Sequence, residues 1–313
     1  MYVKSPIFYM GNKFDLLEDL LPRFPLEKDI DEFIDLFGGS GTVSLNVPYK
    51  NIIYNELNTN IVSLLKVFKQ CSSYEIISHI QNRIKQFDLN VEGTDVRQNQ
   101  EGIEEIRKKY NSKYVDFRSY YNNSKEKNIL DLYTLTFYSF CNLIRFNSKN
   151  EFNMPFGNRC FTKDHSLMIQ KAINKFDEKE IQFKNENAFD LLANIKTNNN
   201  TFIYLDPPYS NTMAIYNESR AFGGWSIEED YKLFKELDRL DKIGVKWAMS
   251  NVLENKGKKN EHLEKWAKEK GYMIIHFEDK EYVSLGKGNS QTKEVLIVNY
   301  NPPYQEYNIF DYI

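Results

Sequence analysis

Asp206-Pro207-Pro208-Tyr209 brings together, in four consecutive residues, side chains and carbonyls able to do a specific kind of chemistry. A carboxylate and a proline carbonyl are two acceptors with no donor beside them, a pair that suits a substrate presenting an –NH2 group. The tyrosine ring next door offers a face on which a flat heterocycle can stack. An amine attached to such a heterocycle is a poor nucleophile, because its lone pair is conjugated into the ring. Two acceptors holding its two hydrogens draw the nitrogen toward tetrahedral geometry and free the lone pair for attack. The paired prolines fix their own φ angles and bar the preceding residue from helical space, so the turn keeps one shape. Four residues alone also fit a plain strand end with a proline-rich turn, and the surrounding chain has to decide.

The elements that must position this turn are legible on either side of it. Thr201-Phe202-Ile203-Tyr204-Leu205 is an apolar and β-branched run that reads as a buried strand feeding Asp206. About 165 residues earlier, Glu32 to Phe37 reads as another strand running into Gly38-Gly39-Ser40-Gly41, with a helix starting near Thr42. Glycines there allow close backbone approach to a ligand, and a helix start presents unpaired N–H groups. The stretch breaks the dinucleotide fingerprint, because Ser44 stands where a third glycine belongs, and it lacks the Gly-Lys-Ser/Thr of a phosphate-binding loop. A strand at Asn51 to Tyr54 ends at Glu56, where α/β cofactor domains place an acid for a ribose hydroxyl pair. In a doubly wound sheet all these loops lie at the carboxyl ends of their strands and face one crevice. Phe189, after a strand near Ile181, fits either an adenine ring or core packing, and Lys13, after the Gly11-Asn12 turn, reads as a solvated lysine. Further strands are expected at Gly244 to Asn251, Tyr272 to Phe277 and Glu294 to Tyr300, with a flexible basic loop at Gly286 to Gln291.

Between the second strand and the later ones the character changes. Ile61 to Phe68, Tyr74 to Phe87, Ile103 to Lys109 and Ile129 to Leu143 read as helices, which makes a separate lobe. It closes on Arg145-Phe146-Asn147-Ser148-Lys149-Asn150-Glu151-Phe152-Asn153, a hairpin pattern of basic, amide and aromatic residues running on to Arg159. Those types serve nucleic-acid contacts: Arg and Lys for phosphates and guanine, Asn for adenine, Phe as a wedge between bases. A solvated loop explains them equally well.

Composition narrows the class. Hydrophobic residues at 41% and charged ones at 27% describe an ordinary water-soluble chain with a sizeable core. There is no apolar run long enough to span a bilayer and no secretory leader, so a cytoplasmic location without membrane attachment is expected. Cys71, Cys141 and Cys160 are odd in number and scattered, which suggests neither a disulfide framework nor a metal site. With a net charge of only −3, any nucleic-acid surface must be a local basic patch.

Taken together these segments resemble the adenine-N6 DNA methyltransferases of the Dam type, the D12 or α class. The order is that of the class: Tyr9 to Lys13, Phe37 to Gly41, an inserted lobe, then Asp206 to Tyr209. Arg145-Phe146-Asn147 with Glu151 to Gly157, and Phe117-Arg118 with Tyr121-Asn122, are similar to the family's pattern as well. The resemblance implies an α/β fold: a Rossmann-like S-adenosylmethionine-dependent methyltransferase sheet with an inserted, mostly helical target-recognition domain carrying a β-hairpin. Residues 1–60 and 166–313 would form the catalytic domain, and 61–165 the target-recognition domain. The activity implied is methyl transfer from S-adenosylmethionine to N6 of a flipped-out adenine in double-stranded DNA, by a monomer, with a cognate restriction endonuclease as partner. Asp206, Pro207, Pro208 and Tyr209 would be catalytic; Tyr9, Lys13, Phe37, Gly38, Gly39, Ser40, Gly41, Glu56, Phe189 and Asp206 would surround the cofactor. Arg145, Asn147, Lys149, Asn150, Asn153 and Arg159 would contact DNA.

Three positions depart from the pattern. Glu56 stands where Asp is commoner, Asn187 near a usual Asp, and Asn150 in place of a turn glycine, where Asn still tolerates φ > 0. Cytosine C5 chemistry is argued against, since it needs a nucleophilic Cys and no Cys here follows a Pro. Cytosine N4 offers the same kind of amine and remains an alternative. A methyltransferase acting on RNA or protein glutamine, or an inactive DNA-binding relative, are others. The large insert speaks against the first of these, and the intact Asp206–Tyr209 pairing against the second.

Overall fold

The structure, a computed structural model, describes residues 2–9, 11–91, 100–194, 197–210, 225–255, 257–277 and 292–303. The loop expected at 286–291 lies outside them. The chain divides into two compact units, one of residues 1–12, 39–45 and 58–178, the other of 13–38, 46–57 and 179–313. The lobe expected at 61–165 falls inside the first, which also takes in the helix that follows it.

The second unit is built on a sheet whose strands follow in chain order: β1 (Glu32–Asp35), β2 (Asn51–Asn55), β3 (Glu180–Lys184), β4 (Thr201–Leu205), β5 (Lys246–Asn255), β6 (Lys258–Lys259), β7 (Met273–His276) and β8 (Thr292–Val298). They lie in the order β3-β2-β1-β4-β5-β8-β7, with the short β6 paired to β5. The first five are parallel; β8 runs antiparallel between β5 and β7. A parallel strand covered on both faces has no polar side to show, which is why β4 is an unbroken apolar run and buried throughout.

Alternate residues sort into two cores. Ile34, Ile203 and Trp247, in register across β1, β4 and β5, pack with Leu233, Leu237, Leu263 and Trp266 of helices α9 (Ile227–Lys242) and α10 (Glu261–Lys270). Phe33 and Phe202 point the other way into an aromatic cluster with Phe24 and Tyr49. The chain moves outward from β1 to β3, then returns to β4 beside β1 and proceeds toward β5. The switch point therefore falls between β1 and β4, where open α/β sheets bind ligands at their carboxyl edge.

Ahead of the sheet, residues 14–23 form one broken helical run: a 3-10 turn, α1 (Leu17–Leu20) and a second 3-10 turn carrying Pro22. After the glycine turn comes α2 (Thr42–Asn46). The first unit is helical: α3 (Thr59–Gln70), α4 (Ser73–Gln86), α5 (Gln100–Asn123), α6 (Ile129–Tyr138) and α7 (Lys163–Asp177). Capping boxes at Ser72/Glu75 and Thr162/His165 start two of them. Buried Asp131 of α6 is held by His79 and Arg83 of α4, at 2.7 and 2.6 Å. The helix expected to run to Leu143 stops at Tyr138, where Ser139 turns extended (φ −79°, ψ 155°); a 3-10 turn follows, in which Cys141 and Asn142 take positive φ values of 55° and 57°. The last helix of the second unit's β3–β4 connection, α8 (Ala188–Asn194), completes the elements that bear on the site. No helix among the described residues is long and apolar enough to cross a membrane.

Candidate active site

Asp206 emerges from the end of β4, two residues past Tyr204, whose register partner is Asp35. Its carboxylate is gripped from both sides. Lys13 approaches Oδ2 to 2.9 Å, and the Tyr209 hydroxyl donates to Oδ1 across 2.7 Å. Lys13 Nζ in turn donates to the Tyr209 oxygen at 3.0 Å, closing a triangle of acid, amine and phenol. The sequence reading of Lys13 as solvated is corrected here: it is only 6% exposed. Burial opposes its charge, but the Asp206 carboxylate, with Glu294 and Tyr204 further off, outweighs that and holds the lysine proton well above the usual range. The reason lies in distance along the chain. A partner 193 residues away leaves no local mark.

The neighbouring strand ends supply the rest of this edge. Phe37 follows β1, Glu56 follows β2 and Phe189 follows β3, so with Asp206 they leave four adjacent parallel strands on one side. Phe189 and Phe37 converge on Trp225, which lies parallel to Phe189 (6.1 Å between centroids, 10°) and edge-on to Phe37 (5.6 Å, 85°). Asn187 caps α8 by accepting the Phe189 N–H at 2.9 Å, a role the family's acid would fill equally. Glu56 is half-buried, its backbone carbonyl held by Asn185. Gly38 owes its small size to the protein itself, since an added Cβ would lie 2.1 Å from the Tyr54 ring.

A further set was not read from the sequence. Buried Asp230 accepts from Trp225 Nε1 at 2.7 Å, from the Ser210 hydroxyl and from His262 Nε2 at 2.8 Å. The only available hint was an acid directly after the Ser226/Glu229 capping box of α9.

In the helical unit, Tyr9 lies against Gly39, whose φ is +50° and whose Cβ, if present, would be 3.3 Å from the ring. Gly41 is left-handed too, at φ +74°. Ser40 is tied down, its carbonyl by the Ser5 hydroxyl (2.6 Å) and its own hydroxyl to Thr42 (2.9 Å).

The expected hairpin is present in the same unit as antiparallel bridges Phe146–Phe152 and Ser139–Phe156. Its turn is organised by Asn147, whose side-chain oxygen accepts the Lys149 and Glu151 amides (2.9 and 3.0 Å) and whose NH2 donates to Glu151. Asn150 sits at φ +58°, the conformation its glycine-like position requires. Arg145 Nε donates to Asn153 at 2.9 Å, and Arg159 to Asn142 at 2.8 Å. Of the six residues expected at DNA, Lys149, Asn150 and Arg159 are exposed.

Helix α5 carries the hairpin. Tyr114 and Arg118 both donate to the Met154 carbonyl (2.9 and 2.7 Å), and Asn122 brackets Phe152, accepting its N–H at 2.8 Å and donating to its C=O at 3.0 Å. Spacing of four places these three side chains on one helix face. This gives the family-like Arg118 and Asn122 a physical task.

A sheet of this order with an acid-proline-proline-tyrosine turn at its switch point defines the Rossmann-like methyltransferase class. Residues 9–283 match the D12 class N6 adenine-specific DNA methyltransferase family, and the chain belongs to it. It is 37% identical over 303 residues to the Type II methyltransferase M.FokI of Planomicrobium okeanokoites and 34% identical over 308 residues to the modification methylase StsI of Streptococcus sanguinis. Each alignment takes in 96% of this chain and 43% of the relative, so the chain spans less than half the length of either. The DNA adenine methylase of Escherichia coli K12 is 26% identical over 216 residues, covering 67% of this chain and 66% of that one.

Proposed function

We propose that this chain transfers a methyl group from S-adenosylmethionine to N6 of an adenine extruded from double-stranded DNA. The observation that carries the reading is the Lys13–Asp206–Tyr209 triangle at the end of β4. An ionised carboxylate offers about four lone-pair sites, and described residues fill two. The remainder suit the hydrogens of an exocyclic amine, and the Pro207 carbonyl supplies the second acceptor. Tyr209 is held by its hydroxyl at the ring's edge, which sets the plane on which a base would stack. Extrusion costs a few kcal/mol, and stacking plus the amine hydrogen bonds offset it.

S-adenosylmethionine, when bound, supplies an electrophilic methyl group. The donor set fits that ligand: Glu56 at the end of β2 suits ribose hydroxyls, and the aromatic surface of Phe37 and Phe189 suits its adenine. The protein's contribution is positioning and exclusion of water from the amine. Tyr9 and Gly39 to Gly41 are proposed cofactor contacts of the helical unit, and the hairpin residues Arg145, Asn147, Lys149, Asn150, Asn153 and Arg159 are proposed to face DNA. Most of the latter would act by shaping the hairpin, given their internal bonds. A cognate restriction endonuclease is the proposed biological partner, in keeping with the modification-methylase relatives.

Incubation with tritiated S-adenosylmethionine and duplex DNA, RNA or protein, followed by nucleoside analysis, tests the reading. N6-methyladenine from duplex DNA is expected. Label in N4-methylcytosine, RNA or protein alone overturns it.

A further inference from the structure

Methyl transfer as described uses Lys13, Asp206 and Tyr209, and leaves the buried carboxylate of Asp230 without a task. It lies in the first turn of α9 and is 2% exposed. Withdrawing a carboxylate from water is costly unless donors replace the lost solvent. Asp230 gathers three, each from a different stretch: the Trp225 indole on Oδ1 at 2.7 Å, and the Ser210 hydroxyl and His262 Nε2 on Oδ2, the latter at 2.8 Å. Helix capping does not account for it, because the Ser226/Glu229 box already satisfies the start of α9.

What the three donors are attached to is informative. Ser210 directly follows Tyr209, the proposed stacking ring. Trp225 lies parallel to Phe189 and edge-on to Phe37, the two rings proposed to meet the cofactor. His262 fixes the arrangement to the first turn of α10. One carboxylate thus fastens the amine-binding turn and the aromatic wall to the same two helices.

We propose that Asp230 is a positioning residue for methyl transfer, setting the stacking turn after Asp206 and the Phe37–Trp225–Phe189 wall in one fixed relation. It touches neither base nor cofactor and acts through Ser210 and Trp225. The proposal rests on the methyl-transfer reading. Turnover by the unmodified protein tests that reading, and the ratio of variant to unmodified turnover tests this one.

The experiment compares Asp230→Asn, Ser210→Ala and the double variant by steady-state methylation of duplex DNA, S-adenosylhomocysteine binding by calorimetry, and thermal unfolding. Small misplacements of reacting groups are expensive in rate, so kcat is expected to fall about tenfold or more in each single variant, with KM for duplex changed less than about threefold. The double variant is expected to be no slower than Asp230→Asn, because both changes cut the same connection. A folded Asp230→Asn protein with unchanged kcat overturns the proposal, as do multiplicative losses in the double variant. If Asp230→Asn does not fold, Ser210→Ala decides alone: a slowed kcat at unaltered melting temperature supports positioning, and full turnover overturns it.

Discussion

Tyr209 donates its phenolic hydrogen to Asp206, three residues before it, at 2.7 Å, while receiving one from Lys13 at 3.0 Å. The ring is therefore pinned through its hydroxyl, with Lys13 Nζ 5.5 Å from its centroid. Tyr209→Phe removes the pin and keeps the face, so turnover is expected to drop by less than about tenfold. Tyr209→Ala removes both, at a stacking loss of about 1–3 kcal/mol. Steady-state kinetics with the two variants separate these effects; equal activity of the Ala variant and the unmodified protein would take Tyr209 out of the site.

Asp206→Ala is expected to abolish transfer while DNA binding persists in a gel-shift assay. Asp206→Asn carries a second cost, because it strips a 6%-exposed ammonium of its nearest counter-charge. A loss of about 3 kcal/mol in unfolding free energy is expected. Adding Lys13→Met should return stability without returning turnover. Recovery of both together would show that Asp206 serves only to neutralise Lys13.

Burial pushes the phenols of Tyr133, Tyr204 and Tyr300 well above the usual tyrosine range, and burial followed by the Asp131 charge pushes Tyr121 up to about 12. Lys13 also keeps its proton to higher pH when folded. A folded-state value raised above the unfolded one means stability that is complete below the unfolded value and lost as pH climbs toward the folded one. Urea midpoints are expected to stay level from about pH 7 to 9 and to fall above about pH 10, where unfolded tyrosine and lysine begin to release protons. A midpoint unchanged at pH 11 would contradict this.

Asn122→Ala leaves the Phe152 N–H and C=O without their side-chain partner. Buried backbone groups so deprived cost about 1–3 kcal/mol. The expected signature is weakened, less selective binding of duplex DNA with S-adenosylhomocysteine affinity unchanged. Selective binding at full strength would mean that the hairpin does not depend on this bracket.

Much of the sheet could be read from the chain because β4 is an unbroken apolar run and β1 and β2 are apolar at their centres, and the Asp206 turn because its chemistry is contiguous. The antiparallel β8 was visible as a strand but not in direction, since pairing sense leaves no mark on a single segment. Lys13 was misjudged and Asp230 passed over for one physical reason: their partners come from distant stretches, and burial depends on what packs over a residue. Gly38 was read as letting the backbone approach a ligand; that any side chain there would also meet the Tyr54 ring could not be seen in the sequence. Conversely, the tolerance of Asn150 for left-handed backbone was a local property and could be foreseen.

The bracket that Asn122 places around Phe152 does the job of a missing neighbouring strand. A helix side chain stands in for a ladder, so the hairpin cannot slide by a residue and invert its faces. Ser148 and Lys149, exposed beyond that anchorage, can change identity without altering the base they are mounted on, whereas Asn150 is tied to its left-handed backbone and Glu151 to Asn147. On the proposed reading, contacts made by the tip would change at these two residues while the hairpin itself stays intact.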